Sequence, residues 1–124
     1  KDDLLAAARH PDAVCRATFG VDIHALSAEE NARKPISNDG VAMKPYDIPL
    51  RALIAKDVDG LLMAGRCISG DFLAHASYRV TGNAVATGEA AGAVAALAAR
   101  SGRPPHSVGW AEAEEALRKI GLRP

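Results

Sequence analysis

The segment from Val80 to Ala99 constrains this chain more than any other. Its only charge is Glu89, and its large apolar groups are Val80, Val85, Val94 and Leu97. Small residues recur four apart at Ala84, Gly88, Gly92 and Ala96, so a helix from about Asn83 to Ala99 presents one face of nearly bare backbone. Such a face predicts close packing against something flat. Upstream, Leu61-Leu62-Met63-Ala64 is a short apolar run bounded by Gly60 and Gly65, which predicts a strand buried on both faces as in a parallel sheet. A strand, a loop and a close-approaching helix N-terminus bring main-chain N–H groups toward an anionic or electron-rich ligand.

Composition removes several classes of function. Fifteen basic residues balance 15 acidic ones, so no net field favours nucleic acid or an anionic membrane surface. Aromatics make up 4%, too few for a stacking platform on single-stranded nucleic acid. The Val80–Ala99 run has a Gly88-x-x-x-Gly92 pair, but its alanine, glycine and threonine content, Asn83, Glu89 and lack of aromatic anchors argue for a soluble helix over a membrane span. Cys15 and Cys67 stand far apart without metal-ligand spacing; they read as two buried thiols in a reducing compartment, which points to a cytoplasmic location. The four histidines show no ligand spacing, and Ser69 and Ser77 lack a triad partner pair. At 124 residues the chain is one domain at most, and its start at Lys1 marks it as a processed or excised piece.

Along the chain, residues Asp2–Arg9 predict a short helix with acids first and Arg9 and His10 last, stopped by Pro11. Ala13–His24 alternates and is β-branched, predicting a strand or bent strand. Ser27 and Glu30 are spaced as a capping box for a helical turn to Arg33. Lys34–Pro49, with Pro35, Asn38-Asp39-Gly40, Pro45 and Pro49, is loop chemistry of a length that suggests a functional excursion. Ile48–Ile54 predicts a strand, and Lys56–Gly60 a turn. Ser101-Gly102-Arg103-Pro104-Pro105 ends the long helix. The last element, Trp110–Ile120, sets Trp110, Ala113, Leu117 and Ile120 on one face, pairs Glu114 with Arg118 and Glu115 with Lys119, and has Gly121 as its cap.

Several of these pieces, in order, resemble a known family. Tyr46-Asp47-Ile48-Pro49-Leu50-Arg51-Ala52-Leu53, then Ala64-Gly65-Arg66-Cys67-Ile68-Ser69, then Arg79-Val80 and Gly88-Glu89-Ala90-Ala91-Gly92 resemble the C-terminal end of FAD-dependent oxidoreductases, and Asp22-Ile23-His24 resembles a further element of that family. The similarity runs from about Arg16 to Ala99. It implies an α/β fold of the glutathione-reductase type, in which a doubly wound FAD-binding domain is assembled from both ends of a long chain. Residues 55–100 would be its returning strand and helix, 1–54 part of a substrate or interface region with the long loop at 34–49, and 101–124 a packing helix. No G-x-G-x-x-G follows a strand here, so the portion gripping adenosine and pyrophosphate would belong to a missing N-terminal partner segment, leaving this chain incomplete as a Rossmann domain and a weak FAD binder alone.

The resemblance also assigns residues. Ala64, Gly65 and Arg66 would lie along the pyrophosphate and ribityl chain, Gly65 by lacking a Cβ and Arg66 by its charge. Val80, Thr81, Gly82, Asn83 and Ala84 would form the helix start whose donors face the pyrimidine edge of the flavin, where charge accumulates on reduction; ordinary capping by Thr81 or Asn83 is the plainer reading. Gly88 and Gly92 permit close packing, and Glu89 faces solvent or an arginine. Arg79 would neutralise a substrate carboxylate or brace the flavin, or else pair with Asp71. His24 and His75 are the proton-exchanging candidates near the catalytic face; His10 and His106 receive no role. The substrate would be a small organic molecule. The alternative is a non-catalytic α/β module that packs its Ala/Gly face on a partner subunit, or a piece that self-associates through that face and the strand edge.

Overall fold

The computed structural model describes residues 1–34, 37–38, 40–122. The proline at position 35 and the aspartate of the expected Asn-Asp-Gly turn lie outside the described residues. Helix α1 (Asp2–Ala6) leads to strand β1 (Ala13–Ala17), helix α2 (Ala28–Arg33), strand β2 (Tyr46–Pro49), and then helices α3 (Phe72–Tyr78), α4 (Thr81–Ser101) and α5 (Trp110–Lys119). Single 3-10 turns occupy Leu50–Leu53, Gly65–Cys67 and Pro105–Ser107. The chain is thus mixed helix and strand, compatible with an α/β class.

The sheet is one antiparallel pair. β1 and β2 match Cys15 with Ile48, Arg16 with Asp47 and Ala17 with Tyr46, with an irregularity between Ala13 and Cys15. α4 packs across β1, against α5 and on the three 3-10 turns. Its buried side is Asn83, Thr87, Ala90, Val94 and Ala98, at the three-and-four spacing of one helical face. Ala90, Val94 and Ala98 of that side join Val14, Ala17, Ile48, Leu53 and Val108 in one core. The C-terminus of α4 closes on Gly102 at φ +65°, its amide bonded to the Ala98 carbonyl, a left-handed cap that glycine adopts without penalty.

Several expectations from the sequence need correction. α1 stops at Ala6 because Ala7 turns left-handed at φ +54°, so Arg9 does not complement a helix dipole. Arg9 instead donates through Nε to Asp47 Oδ2 at 2.8 Å, and the His10 amide reaches the same oxygen at 3.1 Å. The strand expected over 13–24 ends at Ala17; beyond it Ile23 makes only an isolated bridge to Ser37. The strand expected over 48–54 is shifted and truncated: β2 covers Tyr46–Pro49, and the Leu50 amide bonds the Asp12 carbonyl as the chain coils into the turn at Leu50–Leu53. Ser27 does accept the Glu30 amide at 3.1 Å, as its spacing predicted.

The largest difference concerns residues 61–65. They do not form a strand buried on both faces. The Met63 amide donates to the Leu53 carbonyl at 2.7 Å and the Leu61 carbonyl accepts from Ala55 at 3.0 Å, giving one antiparallel bridge between Ile54 and Leu62. No parallel neighbour lies beside the run among the described residues, Leu61 is exposed, and Gly65 already begins a 3-10 turn. A strand is defined by its neighbours, and this segment has one edge partner for two residues.

The small-residue face of α4 is also open where close packing was expected. A Cβ built on Gly88 or Gly92 meets nothing within 4 Å, and both glycines are exposed. On α5, Ala113 and Leu117 are buried as expected, whereas Ile120 falls just past the helix end and is 73% exposed. Glu114–Arg118 and Glu115–Lys119 pair at 2.8 and 2.7 Å. The Gly121 amide returns to the Arg118 carbonyl at 3.1 Å, with Gly121 at φ +86°. Neither cysteine is fully buried: Cys15 is half-buried and Cys67 exposed.

Candidate functional site

Two stretches distant in sequence meet at the head of α4. The chain arrives through Ala64, extended at φ −145° and ψ 167°, and turns at Gly65 with φ +56°. Gly65 lies against the helix so closely that a Cβ there would stand 3.1 Å from the Ala84 Cβ. Its amide donates to Thr87 Oγ1 at 3.0 Å, one turn farther along α4. Arg66 then reaches back, its Nε donating to the Arg79 carbonyl at 3.2 Å.

α3 delivers the chain to that point. Asp71 caps α3 through the Leu73 and Ala74 amides, both at 3.1 Å, and also pairs with the Lys1 amino group. The Tyr78 hydroxyl donates to the Ile68 carbonyl at 2.8 Å, and the tyrosine ring covers Gly70, where a Cβ would come within 2.8 Å of it. α3 ends at Arg79, and Val80 is the N-cap of α4.

No side chain caps α4, and its first intrahelical bond runs from the Ala84 amide to the Val80 carbonyl at 3.1 Å. The expected capping by Thr81 or Asn83 therefore does not occur, because both lie inside the first turn. Thr81, Gly82 and Asn83 leave the leading amides of a 21-residue helix at its positive end.

Ala64, Gly65, Arg66, Arg79, Thr81 and Ala84 line one concavity of about 470 Å³. The structure thus brings Ala64, Gly65, Arg66, Thr81 and Ala84 of the predicted cofactor set together, along with Arg79 of the predicted catalytic set. Gly82 is exposed beside the concavity, and Val80 is half-buried at the cap. Asn83 turns away from it. Its side chain is buried toward β1, where Oδ1 accepts from Cys15 Sγ at 3.6 Å and Nδ2 finds no partner among the described residues. Burial, and then the Asp47 charge, raise the Cys15 thiol above its ordinary pKa.

The titratable candidates divide. Arg79 pairs with Asp22 rather than Asp71: its Nη2 donates to the Asp22 carbonyl at 3.0 Å and stands 3.7 Å from Oδ2. Asp71 instead accepts the Leu73 and Ala74 amides of α3. His24 is exposed, with Nε2 3.2 Å from the same Asp22 Oδ2. Asp22 therefore links two sequence candidates, and its Oδ1 is buried without a partner among the described residues. His75 is apart from the concavity, its ring edge-on to Tyr78 at 5.3 Å. Glu89 is half-buried and makes no ion pair among the described residues.

Sequence reasoning missed Asp22 and Thr87. Asp22 was legible only as a member of the Asp-Ile-His element, and Thr87 as the residue leading Gly88-Glu89-Ala90-Ala91-Gly92.

A sequence model of a family described as FAD dependent oxidoreductase matches residues 1–117. The chain belongs to that family. The match extends the resemblance to α1 and α5, which short motifs alone did not reach. No curated protein and no solved structure matches the chain. As a member of the FAD dependent oxidoreductases it is related to proteins that use a flavin. Uncapped helix amides and two guanidinium groups form a donor set without a carboxylate on its lining, of the kind that takes anionic or electron-rich groups. Among the described residues no three histidine, cysteine or acidic side chains form a metal cluster, and no helix is long and apolar enough to cross a membrane.

Proposed function

We propose that this chain is the C-terminal part of an FAD-dependent oxidoreductase that shelters the middle of the cofactor at the head of α4. The observation that carries the reading is the convergence of the Gly65 turn, Arg66, Arg79 and the uncapped first turn of α4 on one concavity. Ala64, Gly65 and Arg66 would hold the ribityl and pyrophosphate stretch, Arg66 through its guanidinium; the missing Cβ of Gly65 makes room for Ala84 of α4, not for the ligand. Val80, Thr81, Gly82 and Ala84 would face the flavin ring, the helix amides stabilising negative charge at its pyrimidine edge. Asn83 would contribute its backbone amide, its side chain being turned to Cys15. FAD, when bound, supplies the capacity to accept a hydride from an organic substrate.

Arg79, held by Asp22, would bind an anionic group of a small organic substrate, and His24, paired with the same Asp22, would exchange a proton. His75 would act only if the substrate extends toward Tyr78. The partner implied is a segment bearing the G-x-G-x-x-G fingerprint, which would grip the adenosine end. Within that assembly residues 55–100 complete the FAD-binding domain, residues 1–54 adjoin the substrate, and residues 101–124 pack, in a protein we place in the cytoplasm. The glutathione-reductase-type topology belongs to this reading. Residues 61–65 would become a full strand only beside a sheet supplied by that segment.

Expression of the full reading frame that contains this chain tests the reading: the purified protein should be yellow and release FAD on denaturation, whereas the 124-residue chain alone should hold FAD weakly. A colourless, flavin-free full-length protein overturns it. The exposed Gly88 and Gly92 favour one rival, a non-catalytic module that lays this face on a partner subunit or a second copy. That rival predicts stable association with no flavin.

A further inference from the structure

Thr87 does not line the concavity, yet both of its walls run through it. The residue is 1% exposed on the core side of α4. Its hydroxyl donates to the Asn83 carbonyl at 2.8 Å and accepts the Gly65 amide at 3.0 Å, across 22 residues of sequence. A threonine bonding back to the carbonyl four residues earlier is a local habit of helices. The second bond is not local, because it ties the turn at Gly65–Cys67 to the first turn of α4. Gly65 is buried, and without this hydroxyl its amide would be left without an acceptor. Arg66 follows directly in that turn and is itself bonded to the Arg79 carbonyl, so movement at Gly65 carries Arg66 with it.

We propose that Thr87 is a positioning residue for the flavin site: its hydroxyl fixes the Ala64–Arg66 wall relative to the Thr81–Ala84 wall, so that both donor sets meet one ligand. This rests on the flavin reading above. Thr87 touches no ligand and acts through Gly65. Thr87→Ser retains the hydroxyl, Thr87→Val retains the shape without an acceptor, and Thr87→Ala removes the acceptor without adding bulk.

The test uses the protein expressed at the full length of its reading frame, stripped of flavin and titrated with FAD by fluorescence. Hydrogen exchange is followed in parallel by mass spectrometry over the peptide spanning residues 61–70. Loss of one buried hydrogen bond shifts local opening by about tenfold, so Thr87→Val and Thr87→Ala should exchange faster there by about that factor and bind FAD about tenfold more weakly. Thr87→Ser should match wild type in both. If Thr87→Val does not fold, the comparison of Thr87→Ala with Thr87→Ser decides. Faster exchange with FAD affinity within about twofold of wild type makes Thr87 a brace of the fold only, overturning the proposal while the flavin reading stands. Unchanged exchange in Thr87→Ala overturns it as well. A wild-type protein that takes up no FAD defeats the flavin reading, and the proposal with it.

Discussion

Replacing Gly65 by alanine probes the closest approach in the site. Two costs add. At φ +56° a Cβ crowds the following carbonyl, and it would also stand 3.1 Å from the Ala84 Cβ. That is inside the ordinary carbon–carbon separation of about 3.5–4.0 Å. Neither wall is soft, since Ala84 lies within α4 and the Gly65 amide is tied to Thr87. Left-handed strain of about 1–2 kcal/mol and overpacking of about 1 kcal/mol or more give a destabilisation of about 2–4 kcal/mol. Urea unfolding followed by far-ultraviolet circular dichroism measures it from midpoint and slope. A double-mutant cycle separates the two parts. Ala84→Gly alone should cost about 1 kcal/mol as a helix-interior glycine, but in the presence of Gly65→Ala it removes the contact, giving a coupling of about 1 kcal/mol. Gly65→Ala within about 0.5 kcal/mol of wild type would refute the strain, and additivity within about 0.3 kcal/mol would refute the contact.

Asp47→Ala should destabilise by about 1–2 kcal/mol, mainly by orphaning the His10 amide, because the Arg9 and Arg16 side chains are 67% and 44% exposed and return to water; urea midpoints at low and high salt check this, and a strong salt dependence would contradict it. Gly88→Ala and Gly92→Ala should each stabilise the 124-residue chain by up to about 1 kcal/mol in thermal or urea unfolding, since nothing stands within 4 Å of the added methyl; a loss would show the face already packed. Iodoacetamide at neutral pH should label exposed Cys67 well before Cys15, whose thiol is raised by burial and by Asp47, and peptide mass mapping showing equal rates would oppose this. Asp71 accepts the Leu73 and Ala74 amides at the start of α3, both at 3.1 Å. Asp71→Ala should therefore cost about 1 kcal/mol through loss of that cap, read from urea midpoints; an unchanged midpoint would refute it.

The sequence alone determined the elements that rest on local chemistry. The long helix around 83–99, the Ser27 cap, the acid–base pairs of α5 and the Gly121 ending need only near neighbours in the chain, and the structure has each of them within a few residues. The set Ala64, Gly65, Arg66, Thr81 and Ala84 came from the family resemblance, and the structure gathers these residues on one concavity. What only the tertiary structure decided is pairing. Whether 61–65 is a strand depends on neighbours that no local pattern specifies, and so does the change of partner for Arg79 from Asp71 to Asp22. The inward face of α4 was decided the same way: Ala84, Gly88, Gly92 and Ala96 read as the packing face because they are small, yet Thr87, Ala90, Val94 and Ala98 are buried. In an alanine-rich helix the hydropathy contrast between faces is slight, and the core goes to whichever face meets β1 and α5. Thr87 shows the same dependence. Only the fold puts the Gly65 amide beside its hydroxyl.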